Sequence, residues 1–281
     1  MLKAILTYQF MQNAALAALL GSVVCGIMGV IIIEKKLVMM SGGIAHTSYG
    51  GVGLGYLLGI EPIFGAFLFS VLAALGIGAL KRRDVARSDV LISLFWALGM
   101  ACGILFIAMM EGYPPDISAY LFGSILSVTR ADLLFILCLT VAVAAVFIAL
   151  YADWQVFLFD EDFARTRGVN TKRLDTLLMV LIAVTVVVLI RVVGIILVLA
   201  LLTAPAATAA LFTTRLKTRV WLAMGISALY SFGGLWLSYR LDIASGAAIV
   251  MLAVACYLLS LLFVRLRAGT PANREIHKAH D

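Results

Sequence analysis

The chain has 281 residues, of which 64% are hydrophobic and 13% are charged, and its mean hydropathy is +1.11. Soluble domains are about half apolar and about a quarter charged, so the composition excludes a soluble enzyme or binding domain. The formal net charge is +6, but the cations lie in short connections between apolar runs, which argues against nucleic-acid binding. Four cysteines, none in a C-x-x-C pair, give no zinc or redox pattern.

Nine apolar segments follow one another along the chain, and a membrane-spanning helix needs about 17 to 25 such residues. In chain order they are 8–33, 38–59, 62–80, 89–110, 131–152, 174–190, 194–214, 219–238 and 245–264. The tight turn at 190–194 leaves eight spans as the alternative. We therefore predict an all-α, polytopic transmembrane helical bundle, with one transmembrane domain over 1–264 and a short cytoplasmic tail over 265–281.

Basic residues predict the orientation, because cytoplasmic loops carry an excess of lysine and arginine. Five clusters fall on the same side: Lys35 and Lys36; Lys81, Arg82, Arg83 and Arg87; Arg165, Arg167, Lys172 and Arg173; Arg215, Lys217 and Arg219; Arg265 and Arg267. This pattern predicts a multi-pass protein of the cytoplasmic (inner) membrane with its N-terminus outside and its C-terminus in the cytoplasm. Arg130 and Arg191 do not fit, since both would lie at the outer edge.

His46, near the middle of the second segment, is the first candidate for function. An ionisable side chain at membrane depth costs about 2.5 to 3.5 kcal/mol on insertion scales. Small residues at a helical spacing, which predict close helix packing, share its segment: Gly43, Thr47, Gly51, Gly55 and Gly59. Gly42 and Gly50, one turn away on either side, leave room beside the ring. The residues leave two functions open, a hydrogen-bonded packing histidine or a weak ligand for a transported ion. Further ligands near it would come from Met39, Met40, Ser41, Thr47 and Ser48.

Pro205 removes one backbone donor inside a span and predicts a kink that forms a hinge or a pathway wall. Thr203 or Thr208 is expected to bond the freed carbonyl. Glu111 to Ser127, which contains a Pro-Pro pair, is predicted to lie at the outer interface or to dip back into the membrane.

The segment after Phe159 predicts a short, capped cytosolic helix. Asp160, Glu161 and Asp162 open it, Arg165 and Arg167 close it, and Gly168 follows. Glu161 and Arg165 form a favourable i,i+4 pair. A capped helix in a cytosolic loop predicts a protein partner.

Catalytic and nucleotide-binding motifs are absent from the sequence. It contains no G-x-x-x-x-G-K-[ST] phosphate loop, no H-E-x-x-H and no nucleophile elbow. We therefore predict that the chain is not an enzyme, and that any energy from ATP comes from another subunit.

Seven short segments together resemble the permease subunits of metal-ion ABC importers of the zinc and manganese type. They occur in the family's order over nearly the whole chain: 10–14 (FMQNA), 44–55 (IAHTSYGGVGLG), 119–126 (AYLFGSIL), 163–169 (FARTRGV), 191–195 (RVVGI), 204–209 (APAATA) and 245–248 (SGAA). The resemblance implies a second permease copy in a homodimer, a cytosolic ATP-binding-cassette ATPase and an extracytoplasmic metal-binding protein. It implies a transported divalent metal ion and no permanently bound cofactor.

The resemblance also implies roles for single residues. His46 would be a transient metal ligand. Pathway or packing positions would be Gly42, Thr47, Gly51, Gly55, Ser124 and Pro205. The ATPase would act through Asp160, Glu161, Phe163, Arg165 and Gly168.

Two positions depart from the family's pattern. Many members carry an aspartate where this chain has Gly42, and an acid or amide where it has Ser124. We expect transport of zinc or manganese by alternating access. A permease for a chelated metal such as an iron siderophore is the alternative, and an ATP-independent secondary metal carrier is the alternative from another class.

Overall fold

The computed structural model describes residues 7–82, 87–110, 123 and 125–268, and within these ranges it contains helices and connections but no β-strand. The all-α prediction is therefore confirmed. The helices are α1 (Gln9–Glu34), α2 (Val38–Leu57), α3 (Pro62–Arg82), α4 (Ser88–Ala108), α5 (Arg130–Ala149), α6 (Tyr151–Phe159), α7 (Glu161–Thr166), α8 (Thr171–Val193), α9 (Ile195–Phe212), α10 (Leu216–Leu241) and α11 (Ser245–Ala268), with a 3₁₀ turn at Ile125–Ser127.

Several sequence-based predictions fall outside the described residues. Ser124, Arg83 and nearly all of the segment from Glu111 to Ser127 lie there. The described part of the C-terminal region is helical, because α11 continues to Ala268. The rest of the predicted tail lies outside the described ranges.

Each of the nine predicted segments forms a long helix, and eight of these are long and apolar enough to cross a membrane. The ninth is α2. It has 20 residues, about 30 Å at 1.5 Å per residue, which is enough to span the hydrocarbon layer. Its six glycines, its hydroxyl side chains and His46 lower its hydropathy. The difference between eight and nine spans therefore concerns the helix that carries His46.

Close backbone contacts hold α2 between α3 and α4. A Cβ atom added at Gly51 would overlap the backbone of Gly65 in α3, and one added at Gly53 would lie 2.7 Å from the carbonyl oxygen of Gly103 in α4. Gly55 lies as closely against Pro62. In lipid, such packing replaces the hydrophobic driving force between helices.

The other half of the bundle is built around α1, which packs against α5, α9 and α10, while α11 covers α9 and α10. The connection from α8 to α9 is the single residue Gly194, with φ +83°. Gly123 also has a positive φ of +55°, and a Cβ there would lie 2.5 Å from the backbone nitrogen of Gly194. The predicted tight turn is therefore a one-residue link covered by another glycine.

Ion pairs join the helix ends at one face of the bundle, here called the cation-rich face. Arg82 at the end of α3 bonds Asp175 in α8 at 3.1 Å, and Arg219 in α10 pairs with Glu34 at the end of α1. Arg191 lies near the other end of α8, sixteen residues from Asp175, or about 24 Å along the helix. Two of the cations used to predict the topology, Arg82 and Arg219, thus lie at one face, and Arg191 lies at the opposite one.

Candidate functional site around His46

His46 is half-buried on α2, and its ring stacks on Trp96 of α4 with a centroid distance of 4.1 Å and an interplanar angle of 7°. Its Nδ1 atom is buried and has no hydrogen-bond partner among the described residues. The contact that holds the ring is therefore aromatic stacking and not a hydrogen bond between helices.

The hydroxyl groups near His46 bond backbone carbonyls. Thr47 donates to Gly43 at 2.7 Å and lies 3.0 Å from the carbonyl of Phe95 in α4. Ser41 and Ser48 bond carbonyls of their own helix at 2.8 and 2.6 Å. An O–H group that donates to a carbonyl still has lone pairs on its oxygen, so these oxygens can also face a cation.

The two methionines considered as soft ligands point to different environments. Met40 is 1% exposed, whereas Met39 is 63% exposed on the outside of the chain. They lie seven and six residues before His46 on the same helix, about two turns away. Because they are neighbours in sequence, their side chains point to different sides of the helix. At most one of them can serve a site beside the imidazole.

The space predicted beside His46 exists on one side of it. A Cβ at Gly50 would lie 2.8 Å from the carbonyl oxygen of Gly99 and from the ring of Phe69, so that side is filled. A Cβ at Gly42 would make an ordinary contact, 3.7 Å from Leu199 of α9. Position 42 therefore tolerates a side chain, and position 50 does not.

No group of three or more His, Cys, Asp or Glu side chains in the described part of the chain is arranged to hold a metal ion. An ion beside His46 would meet one imidazole together with hydroxyl and carbonyl oxygens. Such a ligand set binds weakly, which suits an ion that must leave again.

Pro205 is buried inside α9, which continues through it to Phe212. The threonines bond other carbonyls than the one predicted: Thr203 donates to Leu199 at 2.7 Å and Thr208 to Ala204 at 2.7 Å. Thr208 also lies 3.1 Å from the hydroxyl of Tyr230 in α10. The polar groups around Pro205 therefore join α9 to α10 instead of compensating for the lost backbone bond.

A charged network at the face opposite the cation-rich face was not foreseen from the sequence. Arg191 bonds Asp132 at 2.5 Å and Glu61 at 2.6 Å, and its guanidinium lies 5.6 Å from the ring centroid of Phe135. Asp132 is 7% exposed and forms a reciprocal capping box with Thr129 at the start of α5. Arg191 is therefore a partnered cation that joins three helix ends, which explains why it does not fit the topology rule.

The predicted cytosolic helix is present as α7. Asp160 caps it by accepting from the backbone N–H groups of Asp162 and Phe163 at 2.9 and 3.1 Å, and Arg165 bonds Glu161 at 2.8 Å. Gly168 follows the helix with φ +80°. Phe163 is 49% exposed and leaves an apolar group for contact with another molecule.

Lys35 connects α7 to the end of α1, another contact that was not foreseen. Its ammonium donates to the carbonyl of Phe157 at 3.3 Å and to Glu161 at 3.4 Å, and it lies 3.4 Å from the ring centroid of Phe157. Burial lowers the pKa of Lys35 and outweighs the opposing effect of the Glu161 carboxylate. Since the preceding residue, Glu34, pairs with Arg219, the end of α1 contacts both α7 and α10.

Comparison with known proteins identifies the family. The profile of the ABC 3 transport family matches residues 7–264. The chain belongs to the ABC 3 transport family. This confirms the resemblance drawn from the sequence, and with the eight apolar helices it makes the chain a multi-pass membrane protein.

The similarity to known relatives and to a solved structure covers almost the whole length of this ABC 3 family member. It is 33% identical to the "Manganese transport system membrane protein MntC" of Halalkalibacterium halodurans, covering 92% of this chain and 89% of the relative. It is 30% identical to the "Probable iron transport system membrane protein" of Haemophilus influenzae, covering 93% and 96%. The structure of PsaBC from Streptococcus pneumoniae in complex with Fab is similar with a TM-score of 0.84 and 29% identity, covering 99% and 98%.

The sequence analysis did not predict the contacts of three residues in this ABC 3 family member, each for a different reason. Trp96 lies in an apolar segment in which nothing marks its partner. Asp132 had a local signal, because Thr129 three residues earlier begins a capping box. Arg191 was noticed as a misplaced cation, and a search for carboxylates near span ends would have suggested its partners.

Proposed function

We propose that this chain is the membrane permease of an ATP-driven importer for a divalent transition metal ion, with manganese or zinc as the substrate. The observation that carries the proposal is His46, a half-buried imidazole on the one long described helix that falls short of the hydropathy of a typical span, in a chain of a transport family. Neutral imidazole is a good ligand for such metals. The name of the Halalkalibacterium halodurans relative supports manganese.

A second permease copy would complete the pathway. His46 is only half-covered by its own chain, and a polar group at membrane depth faces a bundle interior or an aqueous cavity, not lipid. We infer that two copies pair with their α2 and α4 surfaces towards each other. The ion then passes between them, close to the His46–Trp96 stack.

Energy would enter at the cation-rich face, which we assign to the cytoplasm. There α7 presents Phe163 to a cytosolic ATP-binding-cassette ATPase, while Glu161 and Arg165 keep the helix rigid. Lys35 and Glu34 carry its movement to α1 and α10. The N-terminus then lies outside, and an extracytoplasmic metal-binding protein delivers the ion near Arg191.

Iron remains the second candidate substrate, as free or chelated ion, because of the name of the Haemophilus influenzae relative and the absence of an acid at Gly42. An ATP-independent carrier is disfavoured by the family. The one largely buried carboxylate noted above, that of Asp132, is engaged by Arg191 at a span end and is not free at membrane depth.

The test is metal uptake by the complete importer in liposomes, with manganese, zinc and iron offered separately. We expect His46→Ala to lower uptake of the preferred metal at least tenfold while the purified complex keeps its elution volume and melting temperature. His46→Gln, which keeps a polar group of similar size, should be nearly as inactive. Wild-type uptake by both variants would return His46 to a packing role, and uptake without the ATPase would overturn the importer.

A gain-of-ligand variant tests the same site in the opposite direction. Gly42→Asp would place a carboxylate one helical turn from His46, in space that accepts a Cβ atom. We expect tighter metal binding than in Gly42→Asn, the uncharged control of the same shape. Equal metal affinity in the two variants would argue against a metal at His46.

A further inference from the structure

Two cavities on the α1, α5 and α10 side of the bundle meet at Tyr151 and Lys217. One is an apolar groove of about 510 Å³ between these helices, with Ile27, Phe147 and Met224 among its walls. Ile148 and Trp221 on its rim are 73% and 64% exposed, so the groove opens to the outside of the bundle. Its walls belong to membrane-spanning helices, and lipid is the surrounding medium.

The other cavity, about 730 Å³, continues from Tyr151 and Lys217 onto the cation-rich face. Four cations and one carboxylate line it: Arg167, Arg215, Lys217, Arg219 and Glu34. The carboxylate is already paired with Arg219. In the described ranges, the side chains of Arg215 and Lys217 form no ion pair, so this cavity has excess positive charge.

We propose that these joined cavities bind one anionic phospholipid. An acyl chain occupies the groove between α1, α5 and α10, and the phosphate lies at Lys217 and Arg215. Basic pockets between helices at the membrane surface attract anionic head groups, and lysine extends its ammonium to that level. Tyr151 lies where the groove meets the basic cavity, and Trp221 lies on the rim of the groove one helical turn from Lys217, a depth at which such aromatic side chains are favoured.

A soluble protein partner fits only part of this surface. The basic cavity also touches Phe163 of α7, where the ATPase is proposed to dock. The apolar groove, however, lies along the spans from Val23 to Ile27 and from Ala144 to Ile148, and a cytosolic subunit cannot enter it. Continuity between groove and cations therefore favours a molecule with an apolar chain and an anionic head group.

The experiment measures lipid retained by the purified importer complex, using native mass spectrometry after delipidation and addition of phosphatidylglycerol or phosphatidylcholine. The test variant is Arg215→Gln with Lys217→Gln. The matched control is Lys172→Gln with Arg173→Gln, which removes the same two charges from exposed positions at the start of α8 that line neither cavity. Two lost contacts should weaken phosphatidylglycerol retention roughly thirtyfold, and the control should retain it like the unmodified complex.

A second pair of variants tests the groove without changing charge. Ala144→Trp fills the groove, whereas Ala145→Trp adds the same bulk at the neighbouring exposed position outside it. We expect loss of phosphatidylglycerol only in Ala144→Trp. Equal retention of phosphatidylcholine, or equal loss in both charge variants, would overturn the proposal. Release of the ATPase from the Arg215 and Lys217 variant with bound lipid unchanged would assign the cations to the ATPase instead.

Discussion

The helix that carries His46 and the region around α7 hold their polar groups in opposite ways. On α2, hydroxyls bond nearby carbonyls and the imidazole stacks on Trp96 without a hydrogen bond at Nδ1. Around α7, the carboxylates of Asp160 and Glu161 are each engaged by backbone N–H groups or by cations. The imidazole on α2 is thus weakly held, whereas the carboxylates around α7 are fixed by several partners. Under the proposed function, a metal exchanges at the first, and movement is transmitted through the second.

The largest effect is expected where α2 is held by its backbone. Gly51→Val would force a branched side chain into the backbone of Gly65, and overpacking of even flexible neighbours costs about 1 to 3 kcal/mol. Because backbone cannot move aside as a side chain does, we expect no folded permease, measured as monodisperse yield in detergent. Gly225→Ala is the control, since nothing lies within 4 Å of that position. Normal yield of the Gly51 variant would mean that α2 is loosely packed.

The charged network opposite the cation-rich face gives the next effect. Arg191→Gln leaves the 7% exposed Asp132 without its cation. Removing one partner of a buried pair costs about 3 to 5 kcal/mol, and partial exposure reduces this to about 2 kcal/mol. The measurement is the melting temperature of the purified complex.

A second substitution separates the effect of the broken ion pair from the effect of the smaller side chain. Asp132→Asn added to Arg191→Gln should recover part of the melting temperature, because it removes the unpaired carboxylate. Glu61→Gln alone should cost less, since the side chain of Glu61 is 53% exposed. A double variant as unstable as the sum of the single variants would show that the pair is not the cause.

Loss of the stacking partner is a smaller change that acts on the site. Trp96→Leu removes the 4.1 Å stack on His46, and an aromatic pair contributes about 0.5 to 1.5 kcal/mol beyond its buried area. We expect a melting temperature a few degrees lower and a raised KM for metal uptake. Trp236→Leu, at a 48% exposed position in α10, should leave the KM unchanged. Equal KM values in both variants would remove Trp96 from the site.

The smallest effect on stability, with a distinct effect on coupling, is expected for Lys35. The ion pair of Lys35 is made with the 43% exposed side chain of Glu161, and such pairs contribute about 0.2 to 1 kcal/mol, so Lys35→Met should change the free energy of unfolding by less than about 1 kcal/mol. It removes the contact with Glu161, so more ATP should be hydrolysed per metal ion transported. Lys36→Met is the control, because Lys36 is exposed. An unchanged ratio of ATP to metal would assign Lys35 to packing alone.

The sequence predicted α7 well because its contacts are local. Asp160 caps residues two and three positions later, and Arg165 bonds a residue four positions earlier, so spacing is sufficient information. The approximate bounds of the long helices could also be predicted from the sequence, because mean hydropathy is an average over neighbouring residues. The surroundings of His46 were not: Trp96 is on another helix, and the carbonyl that Thr47 meets belongs to Phe95. Such contacts depend on how helices pack, which periodicity does not specify.

The low hydropathy of α2 has a consequence for the insertion of the protein into the membrane during its synthesis. A helix with six glycines and a histidine partitions poorly into lipid on its own. Its close backbone contacts with α3, the next helix to be synthesised, suit insertion of the two as a hairpin. We therefore expect the ribosome to complete α3 before α2 leaves the protein-conducting channel. The helix that carries His46 would then depend on α3 for its insertion into the membrane.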